Sequence, residues 1–428
     1  MRFHLLHPRE QIVTIMHRIY NSGMTTLSGG NLSIREDNGD IWITPAGVDK
    51  GKLTAKDIMC VRANGTVEGA HRPSSEFPFH RAIYAQRPDL RAIVHAHPPA
   101  LVSFSIIRRV PATNIIPQAQ YVCGPVGYAP YALPGSEQLG ENIAATFAQG
   151  FDCVLLENHG AATAGGDLLT AFQRLETLDF CARTLLRAEQ LGSVTTLSDD
   201  QLALFNAHHE ALSEFTPVKH SSRERDLRQQ LVDIVQRACD RQLMISTEGV
   251  ASARVGHNCF VITPTAIDRR GFQIEDLVLI EDGKREAGKT PSRSVHMHAA
   301  IYRQHPGIHC ILTAQSPAAT AYTTTAARFD TRSIPESYIL LRDIPLVPYG
   351  EHFKHPERIA DLVSLRSPVL LIQNDCVLTV GRTVLEAFDR LEVAEFSAQA
   401  LIDAASIGVF SPIDAEGIRA LEVAFALE

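Results

Sequence analysis

Glu76, His95, His97 and His159 are the residues of this chain whose types and spacing suit them to work together. His95 and His97 stand two apart in Ala92-Ile93-Val94-His95-Ala96-His97, a β-rich run closed by Pro98 and Pro99. Strand side chains alternate between faces, so positions i and i+2 project together and can chelate one ion. The prolines end the strand there, which predicts both imidazoles at its rim rather than mid-sheet. Such a pair alone is more often two satisfied or surface histidines. His159 changes that reading: it follows the apolar run Val154-Leu155-Leu156 and precedes Gly160, again a strand edge opening into a loop. Three neutral imidazoles with an open fourth position are a familiar zinc arrangement. Glu76 would complete the ligand set at rest and leave it when substrate binds. Zinc is the expected ion, with Mn2+ or Co2+ as the alternatives.

The chain supplies its own control, because it reads as one folded unit written twice. Residues 53–58 lie over residues 272–277 at an offset of 219, and Ile43-Thr44-Pro45 lies over Ile262-Thr263-Pro264 at the same offset. Ala82-Ile83-Tyr84 and Ala300-Ile301-Tyr302 match at 218, and Ala171-Phe172 and Ala387-Phe388 at 216. Slow drift through small gaps is what a duplicated domain with loop deletions shows; two long copies argue against a solenoid. At the places of Glu76, His95, His97 and His159 the second copy carries Ser294, Thr313, Gln315 and Asp375, while the flanking apolar pattern stays. Histidines that only packed a core would not be lost together; a shared metal role explains the joint loss.

A second site is expected beside the first. Ser28-Gly29-Gly30-Asn31-Leu32-Ser33 is a Gly-rich turn whose backbone N–H groups can converge on an anion, commonly phosphate. Ser74-Ser75-Glu76 places two hydroxyls at a helix start, near the positive end of its dipole. Taken singly, Gly-Gly is more often a turn and Ser75 a plain N-cap. The second copy has Thr247-Glu248-Gly249-Val250 in place of the Gly-rich turn, where a carboxylate would repel an anion. Both sites are therefore read as functional in the first copy.

The elements that must hold these residues follow from periodicity. Ile12, Ile15, Met16, Ile19 and Tyr20 mark one face of an amphipathic helix. Strands are predicted at residues 40–44, 58–62, 92–97 and 153–157, and helices near 76–86 and 168–191. Pro78 falls in the first turn of the 76–86 helix, where its missing N–H costs nothing. The polar stretch 193–225 reads as a linker with a helix around 201–215. The domains are accordingly residues 1–195, a linker 196–223, and residues 224–428. Each is expected to be a three-layer α/β unit around a central, mostly antiparallel sheet.

Composition narrows the classes. A 428-residue chain with 45% hydrophobic and 21% charged residues suits two domains of ordinary size. A net charge of −8 gives no reason to expect nucleic acid, and no apolar run is long enough to span a bilayer. The start MRFHLLHPRE lacks an apolar signal region, and eight cysteines without a CxxC pair read as reduced core thiols, so the cytoplasm is expected. His208 and His209 read as solvated linker residues. His296 and His298 fall on a helix, where i and i+2 diverge, and are assigned no metal. Trp42 is expected to pack beside the sheet, and Arg108-Arg109 to be a solvated edge.

With these segments in place, residues 11–191 resemble the class II aldolase/adducin family. The likeness is carried by Pro73-Ser74-Ser75-Glu76-Phe77-Pro78-Phe79-His80, Arg87-Pro88-Asp89 and Val94-His95-Ala96-His97, with Ile43-Thr44-Pro45-Ala46-Gly47, Ala129-Pro130-Tyr131 and Asn158-His159-Gly160 in support. The second half resembles the framework of the family without its site residues. The resemblance implies an α/β/α sandwich, zinc held by His95, His97 and His159, and Glu76 as ligand and acid/base. It places a substrate phosphate against Gly30, Asn31, Gly47, Ser74 and Ser75. The implied activity is reversible carbon–carbon cleavage of a small phosphorylated sugar or keto substrate through a metal-stabilised enediolate. Decarboxylation, dehydration or epimerisation would use the same chemistry, and an adducin-like interaction module is the non-catalytic alternative. Ala46 stands where such an aldolase has a hydroxyl, and the tyrosine expected near Ile116 is absent, leaving Tyr121 and Tyr128 as candidates. Burial among Phe77 and Phe79 is expected to raise the basicity of Glu76. The resemblance further implies a homo-oligomer, two chains forming a four-domain ring in which Arg293 and Tyr338 of the second copy wall a neighbouring site.

Overall fold

The structure, a computed structural model, describes residues 3–207 and 211–427. His208 and His209 lie outside the described residues. In chain order the first elements are α1 (Pro8–Asn21), β1 (Asn31–Arg35), β2 (Ile41–Ile43), β3 (Met59–Val61), β4 (Val67–Glu68), α2 (Phe77–Gln86), β5 (Ala92–Ala96), α3 (Pro99–Ile106), α4 (Pro117–Cys123), β6 (Val126–Ala129), α5 (Glu137–Phe147), β7 (Cys153–Leu156), β8 (Gly160–Gly165) and α6 (Leu168–Leu191). The second series is α7 (Asp199–Asn206), β9 (Glu214–Phe215), α8 (Ser222–Asp240), β10 (Val250–Gly256), β11 (Cys259–Ile262), β12 (Val278–Glu281), β13 (Lys284–Glu286), α9 (Val295–Gln304), β14 (Cys310–Ala314), α10 (Pro317–Thr323), α11 (Pro335–Leu341), β15 (Leu346–Val347), α12 (Glu351–Lys354), α13 (Pro356–Leu362), β16 (Val369–Ile372), β17 (Cys376–Gly381), α14 (Val384–Ile407) and α15 (Ala415–Ala424).

The chain divides into a first unit, Met1–Thr113 with Gln118–Arg183, and a second, Asn114–Pro117 with Thr184–Glu428. In the first unit one sheet runs β4-β3-β2-β1-β5-β8-β7-β6, antiparallel at every pairing except β6 with β7. α1 starts where His7 caps it in a capping box with Glu10, and it buries Ile12, Ile15, Met16 and Ile19 completely. Each such side chain contributes about 1.5–3 kcal/mol. Strand alternation then sorts the core. Ile93, Val154, Leu156, Ala162 and Ala164 face α2 and α5, packing with Phe79, Ile83, Leu139, Ile143 and Phe147. On the opposite face α6 is tied to β8 by Thr163 Oγ1 donating to Ala171 O at 2.7 Å, and to α1 by Arg18 and Glu176. These are the three α/β/α layers.

The second unit repeats the plan with strand order β15-β16-β17-β14-β10-β11-β12-β13-β9. Its duplicated contacts fall at the offsets read in the sequence. Thr379 Oγ1 donates to Ala387 O as Thr163 does to Ala171, and the Pro264–Pro291 bridge repeats Pro45–Pro73. The stretch expected to be a linker is instead built into the second unit. Its helix ends at Asn206 rather than near 215, and Glu214–Phe215 is a strand pairing in parallel with β13. A two-residue edge strand is made by its distant partner and leaves no local pattern to read. Trp42 lies in β2, its indole donating to Glu36 at 2.6 Å with Arg9 over the ring. All eight cysteines are free thiols, and all but Cys259 are buried.

Candidate active site

His95 is the last-but-one residue of β5, on the face that carries Ile93, and it is wholly buried. The strand stops where Pro98 caps α3 and Pro99 begins it, so His97 sits just past the sheet rim. Its backbone N–H is anchored on Met24 O at 3.1 Å. His159 ends the short loop between β7 and β8, a turn made possible by Asn158 at φ 54°, a left-handed conformation that asparagine tolerates. Asn374 repeats it in the second unit at φ 50°. The three rings converge with centroids 4.7, 4.8 and 5.0 Å apart, and one nitrogen from each lies within 4.8 Å of the others.

Two glycines create the room. A Cβ on Gly29 would stand 2.9 Å from His97 Nδ1, and one on Gly160 would stand 2.6 Å from both His97 Cδ2 and Ala96 O. The second unit has Glu248 and Cys376 at these places.

The donor set fits a divalent metal. His95 Nδ1 donates to Ala161 O at 3.0 Å, which fixes the tautomer and leaves the Nε2 lone pair facing inward. That Nε2 lies 3.0 Å from His97 Nε2 and 3.3 Å from Glu76 Oε2, while His159 Nε2 lies 3.5 Å from Glu76 Oε1. Ligand atoms on one ion of zinc's size stand about 3.3 Å apart, which these three pairs bracket, and the histidine nitrogens all lie within 4.8 Å of one another.

Glu76 stands at the N-cap of α2, so Ser75 is not the cap; it is exposed, and Ser74 Oγ accepts from Glu76 N at 3.3 Å. The carboxyl group is held below the usual carboxylate range, contrary to the expectation from its apolar neighbours. Burial does push it up, but His95, His159 and a hydrogen bond from Asn31 together pull it down further. Burial pushes His97 down to about 3 and His159 to about 4, with the neighbouring His95 adding to both, so both rings are neutral and ligand-ready near pH 7.

Of the residues expected around a phosphate, Ser74 and Ser75 directly precede Glu76. Gly30 precedes β1 at φ 72°, where a Cβ would meet His95 O at 2.8 Å. The Pro45–Pro73 bridge brings the 45–47 loop, with Gly47, beside Ser74. The buried side chain of Asn31 donates through Nδ2 to Glu76 Oε2 at 2.7 Å and accepts from His80 through Oδ1. Tyr121 is exposed on α4, whereas Tyr128 is half-buried in β6 with its hydroxyl unpartnered among the described residues. Arg108 and Arg109 are exposed, as expected of a solvated edge, and Arg108 also pairs with Glu157 at 2.7 Å. Arg293 donates to Phe205 O at 3.0 Å and Tyr338 to Glu422 at 2.6 Å, both within the second unit.

His80 is the residue that sequence reasoning passed over. Its signal was present: Glu76, His80 and Tyr84 recur every four residues on one helix face, and the second copy keeps His298 and Tyr302 while changing Glu76 to Ser294.

The family description "Class II Aldolase and Adducin N-terminal domain" matches residues 10–186 and, a second time, residues 229–402. The chain belongs to the class II aldolase and adducin family. It carries the domain twice, in tandem. Members of this family are typically dependent on a divalent metal, with which the three-histidine cluster is compatible. The 3-oxo-tetronate 4-phosphate decarboxylase of Haemophilus influenzae is 33% identical over 182 residues, 42% of this chain and 86% of that protein. The L-fuculose phosphate aldolase of Methanococcus maripaludis is 33% identical over 171 residues, 40% of this chain and 92% of that protein. A solved L-fuculose 1-phosphate aldolase matches at 31% identity and a TM-score of 0.42, covering 46% of this chain and 93% of that one. Among the described residues, no helix is long and apolar enough to cross a membrane.

Proposed function

We propose that this class II aldolase-family chain is a divalent-metal-dependent lyase that reversibly cleaves a carbon–carbon bond in a small phosphorylated sugar. The reading rests on His95, His97 and His159 converging beside a buried carboxylate whose Oε1 has no hydrogen-bond partner among the described residues. The three histidines would hold the cation with Glu76 as fourth ligand at rest, and zinc suits that donor set. When bound there, the cation supplies Lewis acidity toward a substrate carbonyl oxygen.

The protein's own groups handle position and protons. Gly30, Gly47, Ser74 and Ser75 would hold the phosphate, so that binding energy far from the reacting carbons aligns them. In the cleavage direction the hydroxyl on the aldehyde side loses its proton, and the carbon–carbon bond breaks with its electron pair left on the carbon next to the carbonyl. That proton passes, directly or through solvent, to Glu76, which is ionised at rest, and Glu76 delivers it to the carbon that holds the electron pair. Tyr128, half-buried in β6 where it pairs with Leu155 of β7, is the better candidate of the two tyrosines for the aldehyde side. A second reading, loss of carbon dioxide from a 3-oxo acid phosphate, is favoured by the similarity to the tetronate decarboxylase.

The test is a metal-loaded assay of aldehyde release from ketose 1-phosphates beside carbon dioxide release from 3-oxo acid phosphates. Changing His95 and His97 together to alanine should remove both metal and turnover. Turnover that survives metal loss would sink the proposal, and a wild-type chain with neither metal nor turnover would favour an interaction module.

A further inference from the structure

The Glu76 carboxylate is the end of a hydrogen-bonded chain that begins at Tyr84. Tyr84 Oη lies 2.8 Å from Ser33 Oγ, and Ser33 Oγ lies 2.7 Å from His80 Nδ1. His80 Nε2 meets Asn31 Oδ1, and Asn31 Nδ2 lies 2.7 Å from Glu76 Oε2. Asn31 and His80 are buried, at 3% and 0% exposure, so water does not offer either of them a substitute partner.

The direction of every bond follows from the last one. A carboxylate only accepts, so Asn31 must present its NH2 group to Glu76 and its carbonyl to His80. His80 Nε2 must then carry a hydrogen, leaving Nδ1 to accept from the Ser33 hydroxyl, which in turn accepts from Tyr84. All four donors point toward the glutamate. Only Oε2 is held this way; Oε1 is buried without a hydrogen-bond partner among the described residues.

The second unit shows where structure ends and positioning begins. It keeps Ser252 Oγ at 2.7 Å from His298 Nδ1 and 2.8 Å from Tyr302 Oη, but it has Val250 at the place of Asn31 and Ser294 at that of Glu76. His298 Nε2 there has no partner among the described residues. The Ser–His–Tyr part therefore belongs to the framework, and the Asn31 step exists only where there is a glutamate to aim.

We propose that Asn31 is a positioning residue for Glu76, oriented by the Nε2–H of His80, so that Oε2 is anchored and Oε1 is the oxygen that carries the proton. This deepens the lyase reading and rests on the role that reading gives Glu76. Asn31→Asp keeps the shape but replaces the donor by an acceptor, and Asn31→Ala removes it. In the metal-loaded full chain both should lower kcat by about 100-fold or more, while KM and metal content stay within about threefold. His80→Leu should lower kcat likewise, and His80→Gln, which retains an N–H donor, should restore part of it. His298→Leu should cost stability as His80→Leu does and leave kcat unchanged. Independently of turnover, 15N NMR of the folded chain should show His80 protonated at Nε2.

A kcat within threefold of wild type in Asn31→Ala, a loss confined to KM, or an Nδ1-protonated His80 would each overturn the proposal. A wild-type chain without lyase turnover would instead defeat the functional reading, and the His80 tautomer would then decide by itself whether the hydrogen-bonded chain runs toward Glu76.

Discussion

Gly160 shows how tightly the site is drawn at the scale of single residues. Any side chain there would have to displace both the Ala96 carbonyl and the His97 ring, each 2.6 Å from the added Cβ. Gly160→Ala should therefore cost about 1–3 kcal/mol of stability and tilt His97 away from its partners. The expected result is at least tenfold weaker metal binding by competitive chelator titration. Gly166→Ala is the matched control, because its Cβ would meet nothing within 4 Å. The four ligand candidates were legible as residues, since their types and their joint loss in the second copy pointed one way. The basicity of Glu76 was not legible. Its apolar sequence neighbours suggested an upward shift, and the groups that reverse it come from β1, β5 and the β7–β8 loop.

At the scale of the element, α2 and α9 carry the same buried histidine with different consequences. Burial pushes His298 down to about 3 from the ordinary 6.5, so it is neutral in the folded chain. The unfolded chain takes up a proton as pH falls below 6.5, and the folded chain does not until about 3. Stability contributed by the neutral ring is thus complete above 6.5 and is lost through the window from 6.5 to 3, at about 1.4 kcal/mol per pH unit. Urea midpoints of the wild type and His298→Gln should converge as pH falls from 7 toward 4; a pH-independent difference would contradict the assignment. Helix α2 and strand β5 could be located from Pro78, Pro98 and the apolar period, because their signals are local. The 201–215 helix could not be bounded that way: its last two residues pair as β9 with β13, about seventy residues further along the chain.

At the scale of the whole molecule, two copies of one fold carry one candidate site. Where His159 would stand, Asp375 is paired with His352 at 2.8 Å. Burial pushes the Glu248 carboxyl, at the place of Gly29, up to about 7 against the pull of Arg269 and Arg293. Among the described residues, the one group of three or more ligands is His95, His97 and His159. Metal titration should therefore saturate at about one equivalent per chain, and not two. A second equivalent of comparable affinity, retained after His95 and His97 are changed to alanine, would contradict this.

The amino-acid sequence by itself determined the duplication, the layer type and the identity of the ligand candidates, because these are written in periodicity and in matched positions a fixed distance apart. It also determined which copy carries the ligand candidates. Only the tertiary structure decided which groups face Glu76, that Asn31 donates to the carboxylate, and that His80 meets Asn31. Those facts depend on β1, β5 and α2 meeting in space, and the free energy of a buried hydrogen bond belongs to the pair that meets rather than to either residue alone.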